Sequence, residues 1–421
     1  MMKQELVQII AARDAVQAQQ ILTSQLVELD ERMVSDVLRD ARQAYKETQN
    51  RVFLHAGRYI WEQSGYKDLD NAFIQNAAGW ILYDLCFKHT KSMNEKLLYC
   101  QLVIARTKQE TYSPYEHFIW KIIDELSKEQ ADTREKMLFY LNQLKPELLS
   151  LTPYTPPEGR PIASKKEKWY AMQSKIRYEM KSYETCINAS RAMLSDIPTF
   201  HHDNDTWAKR RIALSLKELG YMDKAKQELE AILIRFDNST IYADLMQIAY
   251  EQGDIELAKA YGANAILNKS GEMKHKVRVL QKMAEMYEQQ DAQLAYSHYI
   301  LLQSVREREN WGTKPEIVEK IKSYAAQNIQ VLEQRHLKTV WDKTAKSIYP
   351  QGQGMIKNYI ANGEAGFIAG EDGQDVFFSK RNNRQLKKDL EVGTSVRYYV
   401  KPTFDRRRNR QATEAVYMTV V

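Results

Sequence analysis

Apolar positions recur at helical spacing through most of the chain and change to strand spacing only near its end. In the first 145 residues the stripes recur every three to four positions, as in Leu6, Ile9 and Ile10, which is typical of amphipathic helices. The later helices of this region carry many aromatic residues, among them Trp61 and Trp80. Residues 1–145 are therefore predicted to form an N-terminal α-helical domain with an aromatic-rich core and no cofactor pattern.

Prolines separate this region from a second helical region. Five of the ten prolines fall in one short segment, at Pro146, Pro153, Pro156, Pro157 and Pro161. Proline lacks the backbone N–H that a helix needs, so such a segment cannot be regular helix. Residues 146–163 are predicted to be an irregular connector between two helical domains.

A repeat follows the connector, between Trp169 and Leu302. Each copy has the end of one helix, a short turn, and a second helix with a small residue at a fixed place. Those small residues are Cys186, Ala225, Ala258 and Ala295, spaced 39, 33 and 37 residues apart. Two helices that cross closely need a small side chain at the crossing. Gly220 and Gly253 fall in the turns, where a positive φ is cheap only for glycine.

The repeat resembles tetratricopeptide repeats (TPRs), on the turn at Gly253 and the later Ala258, Tyr261 and Ala265. It departs from that family at two first-helix positions, where Met246 and Met283 replace the usual small residue, and it lacks the repeat-closing prolines. The resemblance implies a TPR-like helical domain over residues 164–348. Such an array has one continuous core and a concave face for an unidentified protein partner.

After the repeats, Thr313 and Glu316 have the spacing of a capping box, and Pro315 suits the first turn of a helix. One helix is predicted from Pro315 to Ser347. Five short strands follow, at 355–360, 366–370, 375–380, 395–402 and 412–421. Five strands in about seventy residues is the size of an OB barrel, so residues 352–421 are predicted to form one. The fold class is thus multidomain α + β, a TPR-like solenoid followed by a small five-stranded β-barrel.

The barrel sequence resembles a cold-shock domain. Gly354-Met-Ile-Lys is similar to the first strand, Gly366-Phe-Ile to half of the first ribonucleoprotein motif, and Val376-Phe-Phe to the second. Asn358 and Ser379 stand where the family usually has tryptophan and histidine. The resemblance implies binding of single-stranded RNA or DNA. The reduced set of aromatic rings predicts weak binding with little sequence preference.

Candidate nucleic-acid-binding residues follow from strand alternation and charge. Phe367 and Phe377 are expected to face outward and stack on bases, with Lys357, Tyr359 and Lys380 beside them. Phosphates are expected to bind to Arg406, Arg407, Arg408 and Arg410. The alternative is that both phenylalanines lie buried under the preceding helix. The barrel would then be a docking module of a pure interaction scaffold, for example in a bacterial defence or translation-related complex.

Charge and cysteine content favour a cytoplasmic, nucleic-acid-associated protein. Residues 352–421 hold twelve Lys and Arg against eight Asp and Glu, which is four of the six net positive charges. The three cysteines have no disulfide or metal-ligand spacing and are expected to be reduced core thiols. The longest apolar stretch in the N-terminal region, Ala77–Tyr83, is too short to cross a membrane.

Catalysis has one candidate segment, His201-His-Asp-Asn-Asp205, whose imidazoles and carboxylates could hold a metal for hydrolysis. The segment also follows a proline and carries ordinary helix-capping residues, so a loop leading into a helix is the favoured interpretation. The sequence has no phosphate-binding loop, dinucleotide fingerprint or nucleophile elbow. A non-enzymatic adaptor without metal or cofactor is expected.

Overall fold

The computed structural model describes residues 3–26, 29–68, 70–361, 363–383, 386, 390–405 and 408–421. The chain divides into two compact units, Met1–Ile176 and Arg177–Val421. The finer division at 145, 163 and 352 stays a prediction, because these two units are larger than the predicted domains. Every helix in the described residues is too short or too polar to span a bilayer.

The first unit is helical. Its helices are α1 (Lys3–Ala11), α2 (Ala15–Ile21), α3 (Glu31–Thr48), α4 (Val52–Gln63), α5 (Ala72–Asp84), α6 (Met93–Arg106), α7 (Pro114–Leu126) and α8 (Arg134–Leu141). A π-helical turn, Leu85–His89, continues α5. Aromatic side chains such as Phe53 and Trp61 are buried in the core of this unit, in line with the aromatic-rich core predicted above.

The proline-rich connector is irregular. A 3₁₀ turn at Pro146–Leu148 opens it. Farther along, Tyr154 and Ile162 form an isolated antiparallel bridge, in which the Ile162 N–H donates to the Tyr154 carbonyl at 2.9 Å. The segment therefore folds back on itself without becoming regular helix, as the prolines predict.

In the part of the chain that the structure describes, ten more helices follow, in pairs joined by short turns. They are α9 (Lys165–Glu179), α10 (Tyr183–Asp196), α11 (Asn204–Glu218), α12 (Met222–Arg235), α13 (Ser239–Glu251), α14 (Ile255–Leu267), α15 (Val277–Tyr287), α16 (Ala292–Arg308), α17 (Pro315–Ala326) and α18 (Gln334–Lys346). Helices α11 to α16 pack as three successive pairs around one core. This region is a TPR-like helical solenoid.

The small residues of the repeat lie where the sequence predicts them. Cys186, Ala225, Ala258 and Ala295 are all fully buried. Gly220 and Gly253 have φ values of +86° and +81°, which only glycine adopts without strain. The repeat alignment is thereby confirmed.

Met246 and Met283, which depart from the TPR pattern, are accommodated by a glycine. Gly262 lies one helical turn after Ala258 on α14. A Cβ atom at Gly262 would lie 2.4 Å from the Met283 sulfur and 3.0 Å from the Met246 sulfur. The two long side chains therefore fill the space that the missing Cβ leaves, and the core stays closely packed.

The prediction of a single long helix after the repeats is wrong, because α17 ends at Ala326 and α18 begins at Gln334. Asn328 has a φ of +59°, and the Ile329 N–H bonds back to the Tyr324 carbonyl, which closes the end of α17. The capping box does not form either, since the N-cap residue is Lys314 and it makes no side-chain cap bond. Helix α18 instead packs against α14.

The described residues of the C-terminal region form five strands, as predicted. They are β1 (Gln351–Tyr359), β2 (Ala365–Gly370), β3 (Asp375–Ser379), β4 (Ser395–Asp405) and β5 (Arg410–Val420). They form one sheet that closes on itself in the order β1-β2-β3-β5-β4, with β4 pairing back to β1. All pairs are antiparallel except β3 with β5, which is parallel. Alternate residues of each strand, such as Ile368 and Phe378, fill the interior.

Candidate functional site

Two phenylalanines lie side by side on the outside of the sheet. Phe367 of β2 and Phe377 of β3 are directly paired, and their ring centroids are 5.8 Å apart at an interplanar angle of 68°. Both are half-buried, whereas their neighbours Ile368, Val376 and Phe378 are buried. The alternation therefore places both rings on the outer face, with surface that remains open to solvent.

The close packing beneath this pair requires a glycine. A Cβ atom at Gly366 would lie 2.2 Å from the Asn358 carbonyl oxygen and 2.7 Å from the Phe378 ring. Any larger residue would push β1 away from β2 or displace the buried ring. Gly366 thus sets the strand spacing on which the Phe367–Phe377 pair rests.

Tyr359 does not join this pair, because β1 contains a β-bulge. Ile356 pairs with Ile368 and Asn358 pairs with Phe367, so Lys357 is an extra residue. The extra residue reverses the alternation and turns the Tyr359 side chain toward the end of the barrel core.

The Tyr359 side chain is held in that place by two hydrogen bonds and a ring contact. Its hydroxyl donates to the Leu390 carbonyl at 2.8 Å and accepts from the Leu390 N–H at 3.2 Å. Its ring meets Phe378 edge-on at 5.5 Å. The ring is therefore part of the barrel's packing.

The two lysines of the predicted site have separate surroundings. The Lys357 ammonium pairs with the Asp375 carboxylate at 2.6 Å. The Lys380 ammonium lies 5.5 Å from the centre of the Tyr359 ring, at the barrel end. The two lysines therefore have different neighbours.

The predicted arginines follow the end of β4 in sequence, and Arg410 is the first residue of β5. Arg406 and Arg407 fall outside the described residues. Arg408 and Arg410 are exposed, and the Arg408 guanidinium is 4.0 Å from the Asp405 carboxylate. Both exposed side chains are accessible to a phosphate.

A carboxylate that sequence reasoning missed lies next to Phe377. Glu414 of β5 is buried and pairs with Phe377 across the parallel strands. Its carboxylate accepts hydrogen bonds from the Ser379 hydroxyl at 2.5 Å and from the Asn382 amide at 2.9 Å. Asp375, two residues before Phe377, is on the same face. The surroundings of the aromatic pair therefore carry mixed charge, which limits attraction to phosphates.

The barrel is fixed to the repeats by a different strand. Helix α12 contacts β4, with the Arg235 guanidinium 3.9 Å from the centre of the Phe404 ring. Lys401 of β4 pairs with Asp237, just after α12. The side of the barrel that carries Phe367 and Phe377 is not used in these contacts. The phenylalanines are thus not buried under the preceding helix. The barrel docks on the repeats through β4 instead.

A groove on the repeats is a second candidate site. The first helices of three repeats, α11, α13 and α15, line a cavity of about 790 Å³. Two of its basic side chains are neutralised, since Arg210 binds the Asp244 carboxylate through two nitrogens at 2.6 and 3.0 Å and Lys282 pairs with Glu285 at 2.6 Å. The net charge of the groove is therefore set by its other basic residues.

Lys276 and Arg278 form no ion pair within the described part of the chain. The buried Lys276 ammonium donates to the Ile266 carbonyl at 3.0 Å, and burial lowers its pKa. Arg278 is exposed in the groove. The groove therefore carries positive charge that the protein does not neutralise. Sequence reasoning predicted a concave binding face but not these two residues, because nothing in the sequence alone shows that the start of α15 faces α11 and α13.

The His201 segment leads into α11, which begins at Asn204. His202 and Asp203 both have positive φ, and Asp203 makes no side-chain cap bond. Within the described residues, no group of three or more histidine, cysteine or carboxylate side chains is placed to hold a metal ion. The segment is a loop before a helix, as the favoured interpretation has it.

No family model and no curated protein matches the chain. Among solved structures, BtubC from P. vanneervenii is similar at 13% identity, over 56% of this chain and 94% of that one, with a TM-score of 0.34. Pseudomonas aeruginosa pilF is similar at 12% identity, over 70% and 97% of the two chains, with a TM-score of 0.30. The human IFIT1 dimer with PPP-AAAA is similar at 12% identity, over 74% and 67%, with a TM-score of 0.37. All three TM-scores are below 0.5. The helix pairs and strands of this chain therefore define its class, which is a TPR-like helical solenoid followed by a five-stranded sheet.

Proposed function

We propose that the protein is a non-catalytic adaptor of the cytoplasm whose repeats bind an acidic segment of a protein partner. The observation that supports this function is the groove on α11, α13 and α15, where the exposed Arg278 adds positive charge that no ion pair neutralises among the described residues. Amide side chains of Gln247 and Gln281 also line the groove, and they can hydrogen-bond to an extended peptide backbone. The three cysteines are buried and unpaired, which fits a reducing compartment.

Fluorescence anisotropy of labelled acidic peptides with the full chain tests the groove. Arg278→Glu reverses an exposed charge in the groove and should weaken binding about tenfold, which is ~1.4 kcal/mol. Lys338→Glu is the matched control, because Lys338 is exposed on α18 and does not line the groove. Equal affinity of the two variants, or equal binding of neutral peptides, would show that the groove does not bind by charge.

A second candidate function is weak binding of single-stranded RNA or DNA by the barrel. We propose that the barrel is an OB-type domain similar to cold-shock domains. The closed order β1-β2-β3-β5-β4 with a parallel β3–β5 pair supports the fold. The open faces of Phe367 and Phe377 support the activity. The neutralised Lys357 and the nearby carboxylates predict low affinity and little sequence preference.

Fluorescence anisotropy with short oligonucleotides across a salt series separates base stacking from phosphate contact. Phe367→Ala should weaken binding at every salt concentration, because stacking releases no counterions. Replacing Arg408 and Arg410 by glutamine should reduce the slope of log K against log salt by about 0.7 for each phosphate that the variant no longer neutralises. No binding by the full chain at low salt would leave the barrel as a docking module of an interaction scaffold.

A further inference from the structure

A cleft in the first unit has the composition of a ligand site and lies outside both candidate sites above. Helix α7 forms one side of it and the proline-rich connector forms the other, with a volume of about 580 Å³. This volume falls within the range of about 300–1,000 Å³ that is usual for small-molecule sites. The residues that line the cleft include Trp120, Lys121, Thr152, Tyr154 and Lys168.

Two aromatic side chains provide flat surface in this cleft. The Trp120 indole N–H donates to the Glu116 carboxylate at 3.1 Å, and that carboxylate is itself paired with Lys165 at 2.6 Å. The indole ring is therefore held in one orientation. Tyr154, on the connector, has a side chain that remains 61% exposed although it lines the cleft. An exposed ring on a segment that folds back over a cleft is a natural stacking surface.

Positive charge accompanies the rings. The Lys168 ammonium lies 4.7 Å from the centre of the Trp120 ring and makes no ion pair among the described residues. Asp124, the one carboxylate that lines the cleft among the described residues, is bound to Lys128 at 2.9 Å, so it only partly offsets Lys121 at 3.7 Å. A cation over the indole face repels cationic ligands and attracts anionic ones. The ligand is thus expected to be negatively charged.

We propose that this cleft binds a phosphorylated nucleoside. Its base would stack on Tyr154, and its phosphate would pair with the ammonium groups of Lys168 and Lys121. The hydroxyl of Thr152 is close enough to the same cleft to hydrogen-bond to the sugar or the base. The same chemistry is present in a free nucleotide and in one residue of a single strand. The inference does not depend on binding by the barrel or by the groove.

Calorimetric titration of the full chain with adenosine monophosphate, adenosine, inorganic phosphate and a short oligoadenylate tests the proposal. The monophosphate should bind more tightly than adenosine or phosphate, because only it offers both a base and a charge. Lys168→Gln and Tyr154→Ala should each weaken its binding at least about tenfold, which is ~1.4 kcal/mol. Lys136→Gln and Phe139→Ala are matched controls, since both residues are exposed on α8 and outside the cleft.

The source of the nucleotide is read from the same titrations. Binding of the monophosphate supports a free nucleotide, and binding of the oligoadenylate alone, if still reduced by Tyr154→Ala, supports a single strand. Phe367→Ala should leave both results unchanged, which separates this site from the barrel. No binding of either probe, or binding that neither Tyr154→Ala nor Lys168→Gln alters, overturns the proposal. Displacement of the nucleotide by a neutral or cationic peptide would also overturn the proposal.

Discussion

At the scale of single residues, the repeats show an exchange of volume between neighbouring helices. The TPR pattern puts a small residue on the first helix, where this chain has Met246 and Met283. Gly262 on the second helix provides the space instead. Part of the added volume of the methionines is thus taken up by the missing Cβ of Gly262, and packed cores tolerate such a redistribution well.

Gly262→Leu should destabilise the second unit more than Gly262→Ala. The alanine gains helix propensity of about 1 kcal/mol and displaces only flexible thioethers, so its net effect should be small. The leucine overfills the site and should cost about 1–3 kcal/mol, as should Ala258→Leu at the neighbouring crossing. Urea denaturation followed by circular dichroism measures the difference. Equal stability of the leucine variants and the native chain would contradict the proposed packing.

His298 is a second residue whose role follows from its contacts. It is fully buried on α16, with Nδ1–H donating to the Leu294 carbonyl at 2.7 Å and Nε2 accepting from the Trp341 indole at 2.9 Å. The bond from Trp341 requires the neutral imidazole, because a protonated Nε2 cannot accept a hydrogen bond. Burial lowers the pKa of His298 to about 4. The residue therefore ties α18 to the repeats only while it is unprotonated.

Stability should fall as the pH drops from about 6.5 to about 4. In that window the unfolded His298 binds a proton and the folded one does not, so protonation favours unfolding. With a folded pKa of about 4, this group alone accounts for a loss of about 3 kcal/mol. His298→Gln should reduce the pH dependence, because glutamine has no titrating group. Denaturation series of both proteins between pH 4 and 7 check this, and identical slopes would contradict it.

At the scale of elements, the bulge in β1 decides which side chains share a face. From Ile356 onward, strict alternation would put Tyr359 beside Phe367. The extra residue Lys357 shifts the register by one, and Tyr359 becomes part of the barrel end. A single extra residue thus separates Tyr359 from the other two rings that the sequence offers for stacking.

Tyr359→Phe should therefore affect folding and leave ligand binding unchanged. The variant loses both hydrogen bonds to Leu390 and should lower the stability of the barrel by about 1–2 kcal/mol. Oligonucleotide affinity, if present, should stay within twofold, whereas Phe367→Ala lowers it. Thermal unfolding and anisotropy on the same samples provide the two readings. A large loss of affinity at full stability would place Tyr359 in the binding surface.

The repeats and the five strands follow from sequence because their periods are local. The buried alanines recur with the helix pairs, and Phe367 and Phe377 follow from alternation on two regular strands. The bulge at Lys357 and the helix break at Asn328 have no periodic signal, since each depends on one residue taking an unusual backbone conformation. The basic groove and the carboxylate of Glu414 arise from residues far apart in sequence, so only the folded chain brings them together.

At the scale of the whole second unit, a buried hydrogen bond ties the repeats to the segment that leads into the barrel. The hydroxyls of Tyr242 on α13 and Tyr349, between α18 and β1, are 3.0 Å apart, and both side chains are buried. Burial raises the pKa of both phenols, so neither ionises near neutral pH. Either hydroxyl can be the donor.

Removing one of these hydroxyls should cost more than removing both. Tyr349→Phe leaves the Tyr242 hydroxyl buried without its partner and should destabilise the unit by about 1–3 kcal/mol. The double variant, with phenylalanine at both positions, should recover much of that loss. A double-mutant cycle by urea denaturation measures the coupling. A coupling energy of zero would show that the bond contributes nothing to holding barrel and repeats together.

The attachment of β4 to α12 has a consequence for avidity. The barrel is held directly against the repeats that carry the groove, since Arg235 and Asp237 of the repeats contact Phe404 and Lys401 of the barrel. A ribonucleoprotein that offered an acidic segment and a single strand together would make its second contact intramolecularly, without the entropic loss of ordering a tether. Where the geometry of the partner matches, two weak sites held in this way can exceed either single affinity by about 10²–10⁴. A partner that offered one feature alone would be released quickly, so the protein would respond to the combination.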